Sequence, residues 1–406
     1  MKQIKYNSST DEVFSFDYGY TKNGNINSQN IAGKVSTYSY DKTNQLVKEI
    51  LPNGVENSYK YDAVGNRLSS TVNGKTDKFT YNEANQIQTK NDVQYIYDAD
   101  GNLLKDENYK YTYNEMQQLV SVKTLDDKKI ASYTYDENGL RLTKTVGDKV
   151  YEYFYNNEVL EMEIVKEKGN IIAYRYYEWD GTTPLGSIVK TKDSSGNWKE
   201  TVYHYWTNHR GDILSIRDNN GKEVGSYEYD AYGNILKVEG DIAKENPIRY
   251  AGYYYDDETK NYYLQARYYN PVNGAFLALD PYPGDDDDPL SQNGYTYAIN
   301  NPINFIDPDG HNPIAAWAIR LAVRGITYWG KRYGVPLFRA TTHLAVRMIQ
   351  RGISPLQIAK TLYYGKKYYD PKYKSIVYYW KGIAVARKGR VLTTTYRGFK
   401  KRWRKL

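Results

Sequence analysis

Through the first three quarters of the chain, tyrosine and aliphatic residues alternate with polar ones in short runs, and each run stops at a turn signal. "YDKTNQL" begins at Tyr40, "YDAVGNRL" at Tyr61, "YNEANQI" at Tyr81, "YDADGNLL" at Tyr97, "YNEMQQL" at Tyr113 and "YDENGLRL" at Tyr135. "YDAYGNIL" follows at Tyr229 after a longer gap. Alternation with a period of two predicts strands half-buried on one face. Spacings of 16–22 residues fit one β-hairpin per repeat. Asp starts each turn, Gly-Asn is expected at the positive-φ positions, and the next strand opens with an inward Leu or Ile. Hairpins that cannot bury a face alone must stack on their neighbours, so the pattern predicts one continuous stacked β-structure. Tyr, at 47 of 406 residues, suits it by covering a pleated surface while its hydroxyl finds a partner.

The pattern changes after Gly310. "NPIAAWAIRLAVRGITYWG" (312–330) reads as an amphipathic helix; Arg320 and Arg324 interrupt it, so it is no membrane span. "TTHLAVRMIQRG" (341–352) predicts a helix with Thr caps and Gly352 at its end. His343, Arg347 and Arg351 share one face, and Leu344, Met348 and Ile349 turn toward a core. "SPLQIAKTL" starts a second helix, with Ser354 as cap, Pro355 at the first position and Gln357 at the third. Three strands follow: "SIVYYW", "GIAVAR" and "RVLTTTYRG". The predicted fold is therefore mostly β over 35–310, followed by a small α+β domain at 311–406.

Charge separates the same two parts. Residues 311–406 hold 22 Lys+Arg against one acid, Asp370, a net +21, whereas 1–310 hold 33 basic and 47 acidic residues, a net −14. A domain at +21 concentrates phosphates, which points to a nucleic-acid partner. The chain has no cysteine, which removes disulfides and zinc–thiolate sites. The first 30 residues lack the apolar stretch of a signal peptide, and the sequence reads as the C-terminal piece of something longer.

With one Asp, no Glu and no Cys after Gly310, a two-metal nuclease is hard to build, and a paired-carboxylate glycosidase and a zinc deaminase are excluded. No phosphate-cradling Gly-rich loop with Lys-Ser/Thr is present either. The remaining groups, His, Arg, Lys, Tyr and Thr, suit metal-independent RNA cleavage by attack of the ribose 2′-hydroxyl, with no cofactor. Three alternatives stay open. The segment 342–364 can be read as a helix–turn–helix that binds nucleic acid without catalysis. A non-nuclease toxin is the second, and a cationic membrane disruptor, which needs a longer helix than 312–330, is the third.

The repeats resemble the Tyr-Asp (YD, or RHS) repeat family. The resemblance sharpens at "ARYYNPVNGAFLALDP" and "NNPINFIDPDG", which are similar to the RHS-associated core. It implies repeats over 1–248, the core at 249–310, and a spiral sheet wound into a hollow shell. A variable toxic domain, 311–406, would be enclosed by that shell. It further implies a toxin that is secreted or delivered from the cell surface and acts in the cytoplasm of a target cell, with an acidic cognate immunity protein. In some relatives paired aspartates cleave the chain just after the junction, and the matching residues are Asp280 and Asp307. Two carboxylates sharing a proton can activate water. Such relatives usually carry Leu after the Gly; His311 departs from that, and the plainer reading is that both aspartates cap Pro turns. "DDDD" (285–288) reads as a solvated acidic turn rather than a calcium loop.

"HLAVRMIQRGIS" followed by "VLTTTYRG" resembles the small DUF4258 domain, over about 341–398, and that group is similar to the barnase–EndoU–colicin–RelE (BECR) ribonuclease-like toxins. Carried over, it implies His343 as general base or acid, Arg347 as clamp on the scissile phosphate, and hydroxyls from Thr395 and Tyr396. Arg351, Arg387 and Arg397 would bind RNA, with tRNA one candidate. The tail "RGFKKRWRKL" reads as a sequence-independent RNA grip.

Overall fold

The computed structural model describes residues 3–7, 13–156, 158–281, 289–311, 314–315, scattered positions from 326 to 351, 353–389 and 391–406. Two compact units result: Met1–Phe154, Leu160–Glu178 and Thr183–Pro313 form one, and Tyr155–Val159, Trp179–Thr182 and Ile314–Leu406 the other.

Within each sheet of the first unit's repeats every strand lies beside its predecessor in sequence. Ten strands from Gln3–Asn7 to Val93–Gln94 make one sheet, and fourteen from Ile96–Tyr97 to Ile235–Glu239 make a second. The repeat turns explain this order. The carboxylate of Asp62 accepts from the backbone N–H of Val64 (3.0 Å) and Asn66 (2.8 Å). Asp98, Asp136 and Asp230 receive N–H groups two and four residues on in the same way.

Two details correct the sequence reading. Only the Gly position takes positive φ, as at Gly65 and Gly101, or at Asn44, Asn85 and Gln117 where Gly is replaced. The Asn that follows instead returns its amide to the turn carboxylate, Asn66 to Asp62 at 2.9 Å. In "GNRL" and "GLRL" the inward residue is Arg: Arg67 and Arg141 are buried, while Leu68 and Leu142 are 43% and 41% exposed. The first residue of the strand faces in, and the pleat turns the next one out. Repeat tyrosines then tie each hairpin to the previous one. Tyr40 donates to the Ile26 carbonyl (2.6 Å), Tyr61 to Leu46 (2.8 Å) and Tyr135 to Leu119 (2.6 Å).

The β-structure also begins earlier than 35. "YTKNGN" at Tyr20 is a repeat in which the Thr21 hydroxyl replaces the Asp carboxylate, accepting from the Asn25 N–H at 3.1 Å.

Within 249–310 a four-stranded sheet runs from Tyr254–Asp256 to Ala275–Phe276. Asn300 donates to Gln45 (2.9 Å) and to the Gly65 carbonyl (2.7 Å), and Tyr295 donates to the Gly101 carbonyl (2.8 Å). Asp256 meets Arg141 at 2.6 Å and Lys144 at 2.9 Å, with Arg141 and Asp256 fully buried. Buried charges persist only when paired in this way. This bonding fixes the segment that carries the junction to the repeat turns.

The second unit contains a six-stranded sheet in the order Arg339–Ala340, Val391–Arg397, Ile383–Lys388, Ser375–Trp380, Lys366–Asp370, Arg404–Lys405. Its first pair is parallel. Helix Pro355–Tyr364 packs on the strands Ser375–Trp380 and Ile383–Lys388, burying Ile358, Ala359 and Leu362. Ser354 and Gln357 form the predicted capping box. Ile314–Ala315 is a strand, so the helix expected over 312–330 does not begin at 312; the β-branched Ile314 favours extended backbone. Among the described residues no helix is long and apolar enough to cross a membrane.

Candidate junction and nucleic-acid sites

The junction is built around a residue that sequence reasoning passed over, Arg267 of "ARYYNP". It lies on the loop between the strands Asn261–Tyr263 and Tyr268–Asn270, buried, with its guanidinium 3.7 Å from the centre of the Phe276 ring. Its Nη2 meets Asp280 at 2.7 Å and Asp307 at 3.4 Å, and its Nη1 donates to the Gly294 carbonyl at 2.8 Å. Its Nε donates to the carbonyl of Gly310, the residue before the expected cut. Asp307 Oδ1 accepts the His311 backbone N–H at 3.0 Å, so both sides of the Gly310–His311 bond are held.

Gly310 is required here: its φ is +75°, and an added Cβ would stand 2.7 Å from the Leu264 carbonyl. Tyr253 fixes Asp307 by accepting its backbone N–H at 2.9 Å. Burial pulls the Arg267 guanidinium below its ordinary range, against the opposing pull of Asp307, Asp280 and Asp309, and it remains a cation.

The two aspartates predicted from the motifs therefore converge, through a cation that sits between them. The guanidinium meets the repulsion that a shared proton would otherwise relieve. A buried donor on a carbonyl is also the arrangement that stabilises an oxyanion there. Its partners Asp280 and Asp307 lie 13 and 40 residues further on, so no local pattern in the sequence marks this Arg. Asp285–Asp288 lie outside the described residues.

In the basic unit, His343 lies outside the described residues, as do Thr341, Thr342, Ile349 and Gly352. Leu344 and Met348 are buried, as expected for the core face. Arg347 and Arg351 are half-buried and one helical turn apart, with the Arg351 N–H donating to the Arg347 carbonyl at 3.2 Å. The Arg351 guanidinium donates to the Thr395 carbonyl and lies 5.1 Å from the centre of the Tyr396 ring. Burial and the neighbouring Arg347 charge pull Arg351 below its ordinary range. Arg397 reaches back to the Arg351 carbonyl at 2.7 Å. Arg347, Arg351, Tyr396 and Arg397 thus form one cluster. Burial pushes the Tyr396 hydroxyl above its usual range, keeping it a neutral donor.

Two expectations change. Thr395 is fully buried and its hydroxyl donates to the Ala384 carbonyl at 2.7 Å, so that hydroxyl is committed to the sheet rather than offered to a substrate. Arg387 bonds Tyr378 (3.1 Å) and the Gly389 carbonyl (2.5 Å) at the other end of its strand, away from the Ile383–Arg397 pairing. The tail is more than a grip. Arg402 and Trp403 donate to Asp370 at 2.9 and 2.8 Å, and Trp403 packs on Val377, Ala384 and Ala386. Burial opposes ionisation of Asp370, but the hydrogen bonds from Arg402 and Trp403 outweigh it and hold the carboxyl below its ordinary range. The only Asp or Glu side chain of 311–406 is therefore structural.

The Teneurin YD-shell family matches residues 1–303. The chain is 43% identical over 278 residues to the tRNA nuclease WapA of Bacillus subtilis strain 168, covering 67% of this chain and 12% of that protein. It is 25% identical over 252 residues to double-stranded DNA deaminase toxin A of Burkholderia cenocepacia strain H111, covering 54% of this chain and 17% of that protein. Among solved structures, the Photorhabdus luminescens Tc holotoxin pore shares its fold over 77% of this chain and 17% of that one, with TM-score 0.65 and 19% identity. The stacked hairpins, the segment bonded to their turns and the match over 1–303 agree: the chain belongs to the YD-shell family.

Proposed function

We propose that this chain is part of a delivered antibacterial toxin, in which a YD shell is followed by a metal-independent ribonuclease at 311–406. The observation that carries the reading is the fate of Asp370. The only carboxylate of 311–406 is spent on Arg402 and Trp403, leaving an arginine and tyrosine cluster as the chemistry on offer. The relatives named tRNA nucleases support RNA as the substrate class, although the chain spans only 12% of their length.

In this reading, following the DUF4258 and BECR resemblance, His343 takes the proton from the ribose 2′-hydroxyl as that oxygen attacks the adjacent phosphate. Arg347 clamps the phosphate, Tyr396 donates to its oxygens, and Arg351 holds the strand that carries Tyr396. Arg397 binds a flanking phosphate and Arg387 one further along. The 5′-oxygen leaves with a proton taken from water, His343 gives its own back to solvent, and the products are a 2′,3′-cyclic phosphate and a 5′-hydroxyl. The toxin acts in the target cytoplasm, and an acidic immunity protein neutralises it in the producer. RNA cleavage by the purified chain tests the roles. His343→Ala loses about 10²–10⁴-fold, and Arg347→Lys is also damaging because a point charge does not replace a planar bidentate clamp. Wild-type rates in His343→Ala would remove the mechanism.

A second activity rests on the Arg267 geometry: self-cleavage of Gly310–His311. Asp280 takes a proton from the attacking water, the growing charge on the Gly310 oxygen meets Arg267, and the proton passes to the His311 nitrogen beside Asp307 as the C–N bond breaks.

A further inference from the structure

Helix Pro355–Tyr364 buries Ile358, Ala359 and Leu362 and leaves its last two residues outside: Tyr363 is 56% exposed and Tyr364 53%. Their rings meet edge to face at 4.7 Å, and Tyr364 stacks on Trp380 at 5.4 Å with 27° between the planes. Tyr333 closes the group, 5.9 Å from Tyr363. The position is built. A Cβ on Gly365 would stand 2.2 Å from the Thr361 carbonyl and 3.1 Å from the Tyr379 nitrogen, so only glycine lets the chain turn here and set Tyr364 against the end of the strand Ser375–Trp380.

Lysines flank the rings. Lys381 lies 5.0 Å from the Trp380 ring centre, and Lys366, next to Gly365, is exposed. The group also adjoins the arginine cluster. Ile383 pairs with Arg397, and the Gly398 N–H donates to the Gly382 carbonyl at 2.8 Å, so the Trp380–Ile383 turn joins the rings to the strand bearing Tyr396 and Arg397.

Two tyrosines more than half exposed beside a half-buried Trp380, in a segment (311–406) with 22 cations and one committed acid, match a ligand with flat apolar faces on an anionic backbone. Unpaired nucleic acid is that ligand. Stacking on aromatic side chains combined with cationic contacts to the backbone is how single strands are held. We propose that Tyr363, Tyr364 and Trp380 form a stacking platform for unpaired bases of the substrate, flanking the arginine cluster; the substrate class is then a single-stranded or looped segment. The inference rests on the ribonuclease reading above for its biological substrate, but not for its binding chemistry.

The test measures fluorescence anisotropy of the full chain with a labelled single-stranded 2′-deoxy oligonucleotide, which the proposed mechanism cannot cut, and with the same sequence as a duplex. The single strand is expected to bind more tightly. Tyr363→Ala and Tyr364→Ala each weaken it by about 5- to 150-fold, the loss of one base stack. Tyr364→Phe stays within about twofold, and duplex binding is unmoved by all three. Undiminished single-strand binding in the Ala variants, equal losses on the duplex, or no single-strand binding by the full chain overturns the platform. RNA cleavage by the same variants separates the two readings. Cleavage indifferent to Tyr364 removes the platform and leaves the ribonuclease. Ring-dependent binding without cleavage by any variant removes the ribonuclease and leaves the platform.

Discussion

Arg267 gathers partners that lie far along the chain, Asp307 forty residues on and the Gly310 carbonyl forty-three. Each aspartate was legible in its own motif, "LALDP" and "FIDPDG", because Asp before Pro at a junction is a distinctive signal. Their common cation was not, since an Arg amid tyrosines reads as one more residue on the pleat. Tyr396 was expected from a resemblance and lies beside Arg351, whereas the burial of Thr395 depends on which face of the strand meets the sheet, and the run "TTT" does not specify that face. At this scale the structure predicts a self-cleavage product of 96 residues starting at His311. Asp280→Asn and Asp307→Asn should leave the chain intact. Arg267→Lys should slow the cut by about 10²–10³-fold, the usual cost of an oxyanion donor. Intact mass and N-terminal sequencing after prolonged incubation check this; release at the wild-type rate from Asp280→Asn would sink the assignment.

The repeat hairpin is the element whose physics the sequence states most openly. Asp, Gly and Tyr each have one job: accepting two backbone N–H groups, taking positive φ, and donating to the carbonyl of the preceding hairpin. The repeat at Thr21 went unread because it lacks Asp or Asn and the one at Asn208 because Thr207 replaces the leading Tyr, although the Thr21 hydroxyl accepts one of the turn's N–H groups and the Asn208 amide oxygen both. Sequence is also silent about which hairpins meet far along the chain. Glu49, on the strand Leu46–Ile50, accepts from Asn57 (3.0 Å) and from the Ala231 N–H (3.1 Å), 182 residues away, both on the same carboxyl oxygen. Burial, then the charge of Asp230, push this carboxyl up to about 8, against Asn57, Ala231 and Arg210. The folded chain therefore keeps a proton that the unfolded chain releases near pH 4.3. Stability falls as pH rises across the window from there to about 8. Glu49→Gln keeps the accepting oxygen and removes the titration, so it should flatten the decline and raise Tm at pH 8 relative to wild type, with little change at pH 4. Parallel Tm curves would contradict the linkage.

At the scale of the whole molecule, a segment at −14 precedes one at +21, and the family match covers 1–303, which ends short of the basic residues. The division of the chain into two segments was legible from charge alone; the role of the basic one was not. The segment 341–352 carries only one candidate acid–base group, and the strands Lys366–Asp370 and Arg404–Lys405 hide in charge-rich stretches that do not read as strands. A unit so charged should bind RNA with a steep linear fall of log affinity against log salt, by counterion release. A flat plot between low and physiological salt would mean the cations serve something other than phosphate.

The central claim is that 311–406 cuts RNA with no metal, using the substrate's own 2′-hydroxyl. The direct measurement incubates the purified chain with RNA in excess EDTA and analyses the ends, beside a substrate carrying a single 2′-deoxy residue at the cut. Attack by the 2′-hydroxyl gives undiminished cleavage, 2′,3′-cyclic phosphate and 5′-hydroxyl ends, and complete resistance of the 2′-deoxy substrate. Loss of activity in EDTA, or equal cleavage of the 2′-deoxy substrate, would contradict it.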